Sequence, residues 1–446
     1  MNTKEITENP LGTQPIKSLI WKFAVPGIVT QLVNSLHNIV DQVFLGWGIG
    51  DLGVAATSIV FPITTIITAL SALIGLGAAA RFSILLGKKQ MNEAADVLGN
   101  AIALMVLFGT TLLVVTSVFL EPMLYLFGAT DLIMPFAQPY ARIICIGIPF
   151  GIFSTAMSYF IRADGNPNYS SFVLLAGAIF NIVFDPVFLF TCDMGIAGVA
   201  LATVLGQILS TLFALYYLLK KLKSVSISAG NIIVRFSVIR FIFSLGAAAF
   251  ATHILATISQ IVLMNALKHY GSLSVYGSEI AIAASGAVGK ISMVFLSSII
   301  GISLGCQPIL GFNLGNKQYS RVKETYLTAI RYGTIIAVAA FLALQLFPKQ
   351  IISIFNSDDP LFYEFAERYI HIYLVMLFLN AIQPITSTFC TAIGKANLGF
   401  WMAVIRQGVL LIPLLLLLPY VLGINGILLA GAVSDGIAAI IVIFIR

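Results

Sequence analysis

FVLLAGAIFNIVFDPVFLF, residues 172–190, decides the fold. The stretch is long and apolar enough to cross a bilayer, since a spanning helix takes about 20 predominantly apolar residues. Its one ionisable side chain is Asp185, four residues after Asn181. A second such stretch, VPGIVTQLVNSLHNIVDQVFLG (25–46), carries Asp41. A carboxylate inside a membrane is costly, so each marks a functional site by default.

The rest of the chain agrees with a membrane reading. Of 446 residues, 59% are hydrophobic and only 9% are charged, whereas a soluble domain carries about 25% charged residues. Mean hydropathy is +1.00. Clusters of Pro, Gly, Asn, Asp and Lys divide the chain into twelve apolar segments. These are 18–46, 53–86, 95–120, 136–161, 168–190, 195–219, 238–267, 277–313, 325–347, 364–393, 397–421 and 424–446. The expected fold is therefore all-α, a polytopic membrane protein with twelve transmembrane helices. No stretch is left for a separate catalytic domain, and no GxxxxGK[ST] run is present, so the chain does not read as an ATPase or another enzyme.

Charge placement orients the spans. Lys17, Lys22, Lys88, Lys89, Arg162, Lys220, Lys221, Lys223, Arg235, Lys317, Arg321, Lys323, Lys395 and Arg446 fall on one side. Asp51, Glu121, Asp131, Asp193, Asp358 and Asp359 fall on the other, with Lys268 and Lys349. The positive-inside rule puts both termini in the cytoplasm of a multi-pass protein of the cytoplasmic (inner) membrane. The net charge of +6 thus needs no nucleic-acid partner. The lead-in MNTKEITENPLGTQP has no apolar core and does not read as a signal peptide. Cys145, Cys192, Cys306 and Cys390 have no CxxC spacing and read as packing residues.

The two halves repeat. LLGKKQ (85–90) matches NLGNKQ (313–318) at an offset of 228, and AQPY (137–140) echoes AERY (366–369) at 229. GIAG (195–198) returns as GING (423–426), again at 228. Six spans per half is an even number, so two pseudo-symmetric six-helix lobes should share one orientation. The boundary is placed in KKLKSVSISAGNIIVR (220–235), giving lobes 1–222 and 223–446. Such duplication is typical of secondary transporters.

Polar residues then cluster by spacing and depth. Asn34, His37, Asn38 and Asp41 form one helical stripe, and Asn181 shares a face with Asp185. At 1.5 Å per residue, Asp41, Asp185 and Thr203 of the sixth span fall at a similar depth in the outer half. At the repeat offset Asp41 becomes His269 and Asp185 becomes Pro413, so the acid pair belongs to the first lobe alone. The bland reading is that each acid merely locks helices together, with Asn181 satisfying Asp185. His37 and Asn34 are candidate relay or cavity positions, with an interfacial role as the alternative for His37. Asp435, a third deep acid, has Gln207 as its counterpart, which favours a structural hydrogen bond, although it too is a cavity candidate. Pro26 is a hinge if the first helix begins at Ile16 or Lys17, and a first-turn proline if it begins near Ala24.

These residues together resemble the multidrug and toxic compound extrusion (MATE) family over essentially the whole chain. The resemblance rests on NIVDQVFLG (38–46), LLGKKQ (85–90), IRADGNP (161–167), NIVFDPVFLF (181–190), GIAGVALAT (195–203) and GCQPILGFNLG (305–315), in that order. It implies two six-helix lobes that open alternately to each side. It also implies export of cationic or amphipathic drug-like small molecules in exchange for H+ or Na+, with no other cofactor. The pattern is similar to the MepA/DinF-like branch, whose ion site falls here on Asp41, Asn181, Asp185 and Thr203, with Pro26 as a bending proline. It departs from the NorM-like branch, since Ala249 to Leu267 holds no acid and Asn380 stands at the tenth-span position. Na+ at the Asp41/Asp185 cluster stays an alternative to H+, and the chain is expected to work as a monomer. The alternative function is a flippase of lipid-linked precursors. It would need clustered deep cations, and only Arg142, Lys290 and Arg406 lie deep.

Overall fold

The computed structural model describes residues 9–222, 224–353 and 359–445. Residues 1–8 of the lead-in, Lys223, Asp358 and Arg446, all named above, lie outside that range. Among the described residues eleven helices are long and apolar enough to span a membrane, and one bent pair makes the twelfth. The first half contributes Ile16–Gly48, Leu52–Gly87, Met91–Val118, Met134–Ala163, Pro167–Thr191 and Gly195–Lys221. The second contributes Phe236–Ser272, Gly277–Gly315, Tyr319–Leu346, the pair Pro360–Tyr373 and Leu377–Ala392, Ala396–Leu422 and Ile424–Val442.

The tenth span corrects an expectation. The sequence predicts one helix over 364–393, but the span is bent by 46°. The break falls just after Tyr373, and the second piece opens with a 3-10 turn at Leu377–Leu379. Pro384 bears only on where the regular α-helix of that piece begins. Proline has no N–H to give, and its ring crowds the carbonyl four residues earlier. The chain therefore turns at Asn380 and Ala381 and restarts at Ile382. Pro384 then falls in the first turn, where the missing donor is one that a helix leaves unused.

The internal repeat is visible in the backbone. The third and ninth spans begin and end 228 residues apart. The turns before them hold Lys89 and Lys317 in the left-handed region, at φ 59° and 58°. The linker folds back on the third span. Asn100 Nδ2 donates to the carbonyls of Asn231 and Ile233, both at 3.2 Å, and Asp96 pairs with Arg235.

The halves meet through the first and second spans of one and the seventh and eighth of the other. Their closest approach lies on the side that carries the termini. A Cβ on Gly246 would sit 1.8 Å from the Leu73 carbonyl oxygen, and one on Gly315 would sit 2.1 Å from that of Ile84. On the first span, Gly27 faces Gly301. Hydrogen bonds between the halves follow the same seam, from Ser35–Ser297 at 3.0 Å through Gln307 Nε2 to Leu76 O at 3.0 Å. Residues 9–15 strap the seam. Leu11 is buried in the second half, and its carbonyl accepts from Asn313 Nδ2 at 2.9 Å. Arg321 Nη2 donates to Gln14 O at 2.7 Å. Nearer the opposite side, Gly286 and Gly289 of the eighth span meet no heavy atom within 4 Å.

The seam predicts a contrast. Overpacking a close contact costs about 1–3 kcal/mol, so Gly315→Leu should lower the thermal unfolding midpoint of the detergent-solubilised protein by several degrees. Gly286→Leu, facing open space, should move it by about 2 °C or less. Equal midpoints would contradict the seam.

Candidate functional site

The first span is one helix from Ile16 to Gly48, so Pro26 is interior. Proline there removes the hydrogen bond to the Lys22 carbonyl. The next turn is tied down locally, with Thr30 Oγ1 donating to Pro26 O at 2.8 Å. Further along the helix, the polar stripe comes into place. Ser35 crosses to Ser297, and Asn38 Nδ2 donates to the Asn34 carbonyl at 2.7 Å. His37 Nδ1 lies 3.2 Å from Asp41 Oδ1, an ion-pairing distance whose orientation makes no hydrogen bond.

The fifth span packs beside the first and brings Asp185 to it. Asp185 is fully buried and Asn181 is nearly so, at 2% exposure. Their i, i+4 spacing allows Asn181 Nδ2 to donate to Asp185 Oδ1 at 3.0 Å. The same amide donates to Thr203 Oγ1, also at 3.0 Å, and that hydroxyl donates to Val199 O. Asn181 therefore ties the fifth span to the sixth. Directly after Asp185, Pro186 interrupts donation, and the span continues as a π-helical turn over Val187–Thr191. Wide turns of this kind occur mostly within helices at functional positions.

The four residues singled out in the sequence thus lie together. Asp41 stands within hydrogen-bonding reach of Asp185, and Thr203 completes the group through Asn181. Among the described residues no lysine or arginine is paired with either acid. Asp41 Oδ1, Asn181 Oδ1 and Asp185 Oδ2 are buried without a hydrogen-bond donor. A buried acceptor left unsatisfied costs about 1–3 kcal/mol. Three such oxygens in one place suit a proton or a hard cation, which prefers oxygen ligands. No group of three or more His, Cys, Asp or Glu side chains suited to a metal occurs among the described residues.

Sequence reasoning missed one neighbour. Tyr140 of the fourth span is only 9% exposed and close enough to Asp41 and Asp185 to interact with both charges. The available signal was a tyrosine two residues before the deep Arg142, read from the sequence only as a repeat marker. Asp435 goes elsewhere. Its Oδ1 accepts from Arg406 Nε at 2.7 Å, and Ser434 Oγ donates to the Arg406 carbonyl. Arg406 lies in another π-helical turn, Ile405–Leu411. Asp435 is therefore one half of an ion pair in the second half of the chain, on helices other than those that hold the acid pair. Asn34 contributes its backbone carbonyl to the stripe.

A two-lobe bundle of twelve spans with an acidic pair in one lobe is the architecture of a secondary carrier. Comparison with known proteins gives the family. The MatE family profile matches residues 26–187 and 248–417, and the chain belongs to that family. Among curated relatives, the "Multidrug export protein MepA" of Staphylococcus aureus (strain MSSA476) is 25% identical over 427 residues, covering 96% of this chain and 92% of the relative. The protein of the same name from Staphylococcus saprophyticus is 26% identical over 431 residues, covering 95% and 93%. Among solved structures, the MATE multidrug transporter DinF-BH superposes with a TM-score of 0.90 at 29% identity, covering 97% of this chain and 96% of that one.

The network predicts a double-mutant result. Asn181→Leu removes the donor to a buried carboxylate and should destabilise the solubilised protein by about 1–3 kcal/mol. Adding Asp185→Asn should restore much of that loss, because the stranded charge is gone. Strictly additive effects on thermal unfolding would contradict the coupling.

Proposed function

We propose that the chain is a multidrug efflux transporter of the cytoplasmic membrane, exporting cationic or amphipathic small molecules in exchange for protons. The observation that carries this reading is the closeness of the Asp41 and Asp185 carboxyls, whose buried oxygens lack hydrogen-bond donors. An ionised carboxylate only accepts hydrogen bonds. Two carboxyls within bonding reach therefore need a proton, or a cation, between them. With both ionised, unit charges about 4 Å apart repel by about 4 kcal/mol even at a protein-like dielectric. A cationic cargo relieves that repulsion, and so does a proton, so the two compete for one site.

Coupling follows if the competing states differ in shape. A proton entering from outside neutralises the pair and changes the contacts among the first, fifth and sixth spans. The first span bends at Pro26, where a backbone hydrogen bond is already missing, and the cavity releases its cargo. The positive-inside bias places the termini, and hence the sealed seam, on the cytoplasmic side. In this reading the lobes part on the outer side, and the Leu11 strap must leave Asn313 and Arg321 when the inner side opens. Arg406 and Asp435 neutralise each other, which leaves the second lobe without a bare acid at that position. The names of the MepA relatives and of DinF-BH support drug-like cargo.

Inverted vesicles supplied with a fluorescent organic cation test the reading, with pH and sodium gradients imposed separately. Wild type should concentrate the cation when a pH gradient is applied and ignore sodium. Asp41→Asn and Asp185→Asn should each fall to the vesicle background while inserting normally. Uphill transport by the double variant near the wild-type rate would overturn the assignment, and a response to sodium alone would replace the proton as coupling ion.

A further inference from the structure

The repeat places two cavities at matching positions, at the ends of the lobes that carry the termini. In the first lobe the cavity measures about 10 Å³ and is lined by Leu98, Met157, Phe160, Ile161, Tyr217 and their neighbours. In the second it measures about 130 Å³ and is lined by Tyr326, Thr386, Phe389, Cys390, Lys395, Met402 and others. Leu98 matches Tyr326 at an offset of 228. Met157, Phe160 and Ile161 match Thr386, Phe389 and Cys390 at 229. The first lobe thus fills this position with its own aliphatic side chains, and the second leaves it open.

The second cavity is asymmetric in chemistry. Its walls are apolar at Phe389, Ile393, Leu398, Met402 and Val442. Its two hydroxyls bond each other, Tyr326 to Thr386 at 2.9 Å, and Thr386 also donates to Ile382 O. The remaining charged group is Lys395, exposed in the turn that follows Gly394 and opens the eleventh span. That turn lies with the termini, at the level where lipid headgroups meet the protein. A cavity of about 150 Å³ accepts a benzene-sized apolar group, so this one suits a short length of hydrocarbon. An ammonium at the mouth is a compact point charge that suits a phosphate.

We propose that the second-lobe cavity takes part of an acyl chain of an anionic phospholipid, with its phosphate at Lys395. Charge complementarity selects an anionic over a zwitterionic headgroup, and the apolar walls require a chain rather than a free anion. Such a lipid would brace the ninth, tenth, eleventh and twelfth spans, a task that the first lobe performs with its own side chains.

The test is native mass spectrometry of the delipidated full-length protein, offered phosphatidylglycerol, phosphatidylcholine or glycerol phosphate. Wild type should retain phosphatidylglycerol in preference to phosphatidylcholine. Thr386→Met and Cys390→Ile, which install the aliphatic bulk that the first lobe uses, should each cut retention by about ten-fold, the equivalent of about 1.4 kcal/mol. Cys390→Ile keeps the Tyr326–Thr386 hydrogen bond and so serves if Thr386→Met fails to fold. Lys395→Gln should abolish the preference between headgroups. Equal retention by wild type and all three variants would overturn the proposal, as would glycerol phosphate binding as tightly as the lipid.

Discussion

Asp41 and Asp185 lie close enough to act on each other where neither is paired with a lysine or arginine, and this arrangement constrains the rest of the first lobe. Each acid is delivered by a different span, so the distance between them depends on how the first and fifth helices pack. The fifth is fixed to the sixth through the Asn181 amide, which bonds both Asp185 and Thr203. The first is less constrained near Pro26, where one backbone hydrogen bond is missing. A change of charge at the pair therefore acts between a braced helix and one with a built-in weak point. That asymmetry is what a conformational response to ionisation requires.

The seam between the lobes is the other half of the account. Glycine lets backbones approach to distances that a single Cβ would prohibit, as Gly246 does against Leu73 and Gly315 against Ile84. Close packing of small residues is how helices associate where water provides no hydrophobic drive. These contacts lie on the side of the termini, and the last hydrogen bond across the seam is Ser35–Ser297, just before His37.

Much of this was legible in the sequence because bilayers restrict the options. Continuous apolar runs marked the spans, and the 228-residue register marked the duplication that the matching turns at Lys89 and Lys317 display. Helical spacing and depth brought Asp41, Asn181, Asp185 and Thr203 into one layer, and helix packing brings them into one cluster. What spacing could not supply was how each helix is rotated towards its neighbours. Tyr140 was invisible for that reason, since an aromatic residue in a span is usually packing. Arg406 pairs with Asp435 from within a π-helical turn, and spacing counted on a regular helix does not reveal such a partner. The bend of the tenth span falls between Tyr373 and Leu377, inside a continuous apolar run that gives no sign of it.

The central claim is that the Asp41–Asp185 pair exchanges a proton for cargo. Proton release on cargo binding tests it most directly, measured with the purified transporter in weakly buffered solution as an organic cation is titrated in. Wild type should release about one proton per cation bound at a pH where the pair is protonated, because a shared proton is what joins two carboxyls. The release should vanish in Asp41→Asn. Cation binding by wild type with no proton released, or an undiminished release from the variant, would contradict the account.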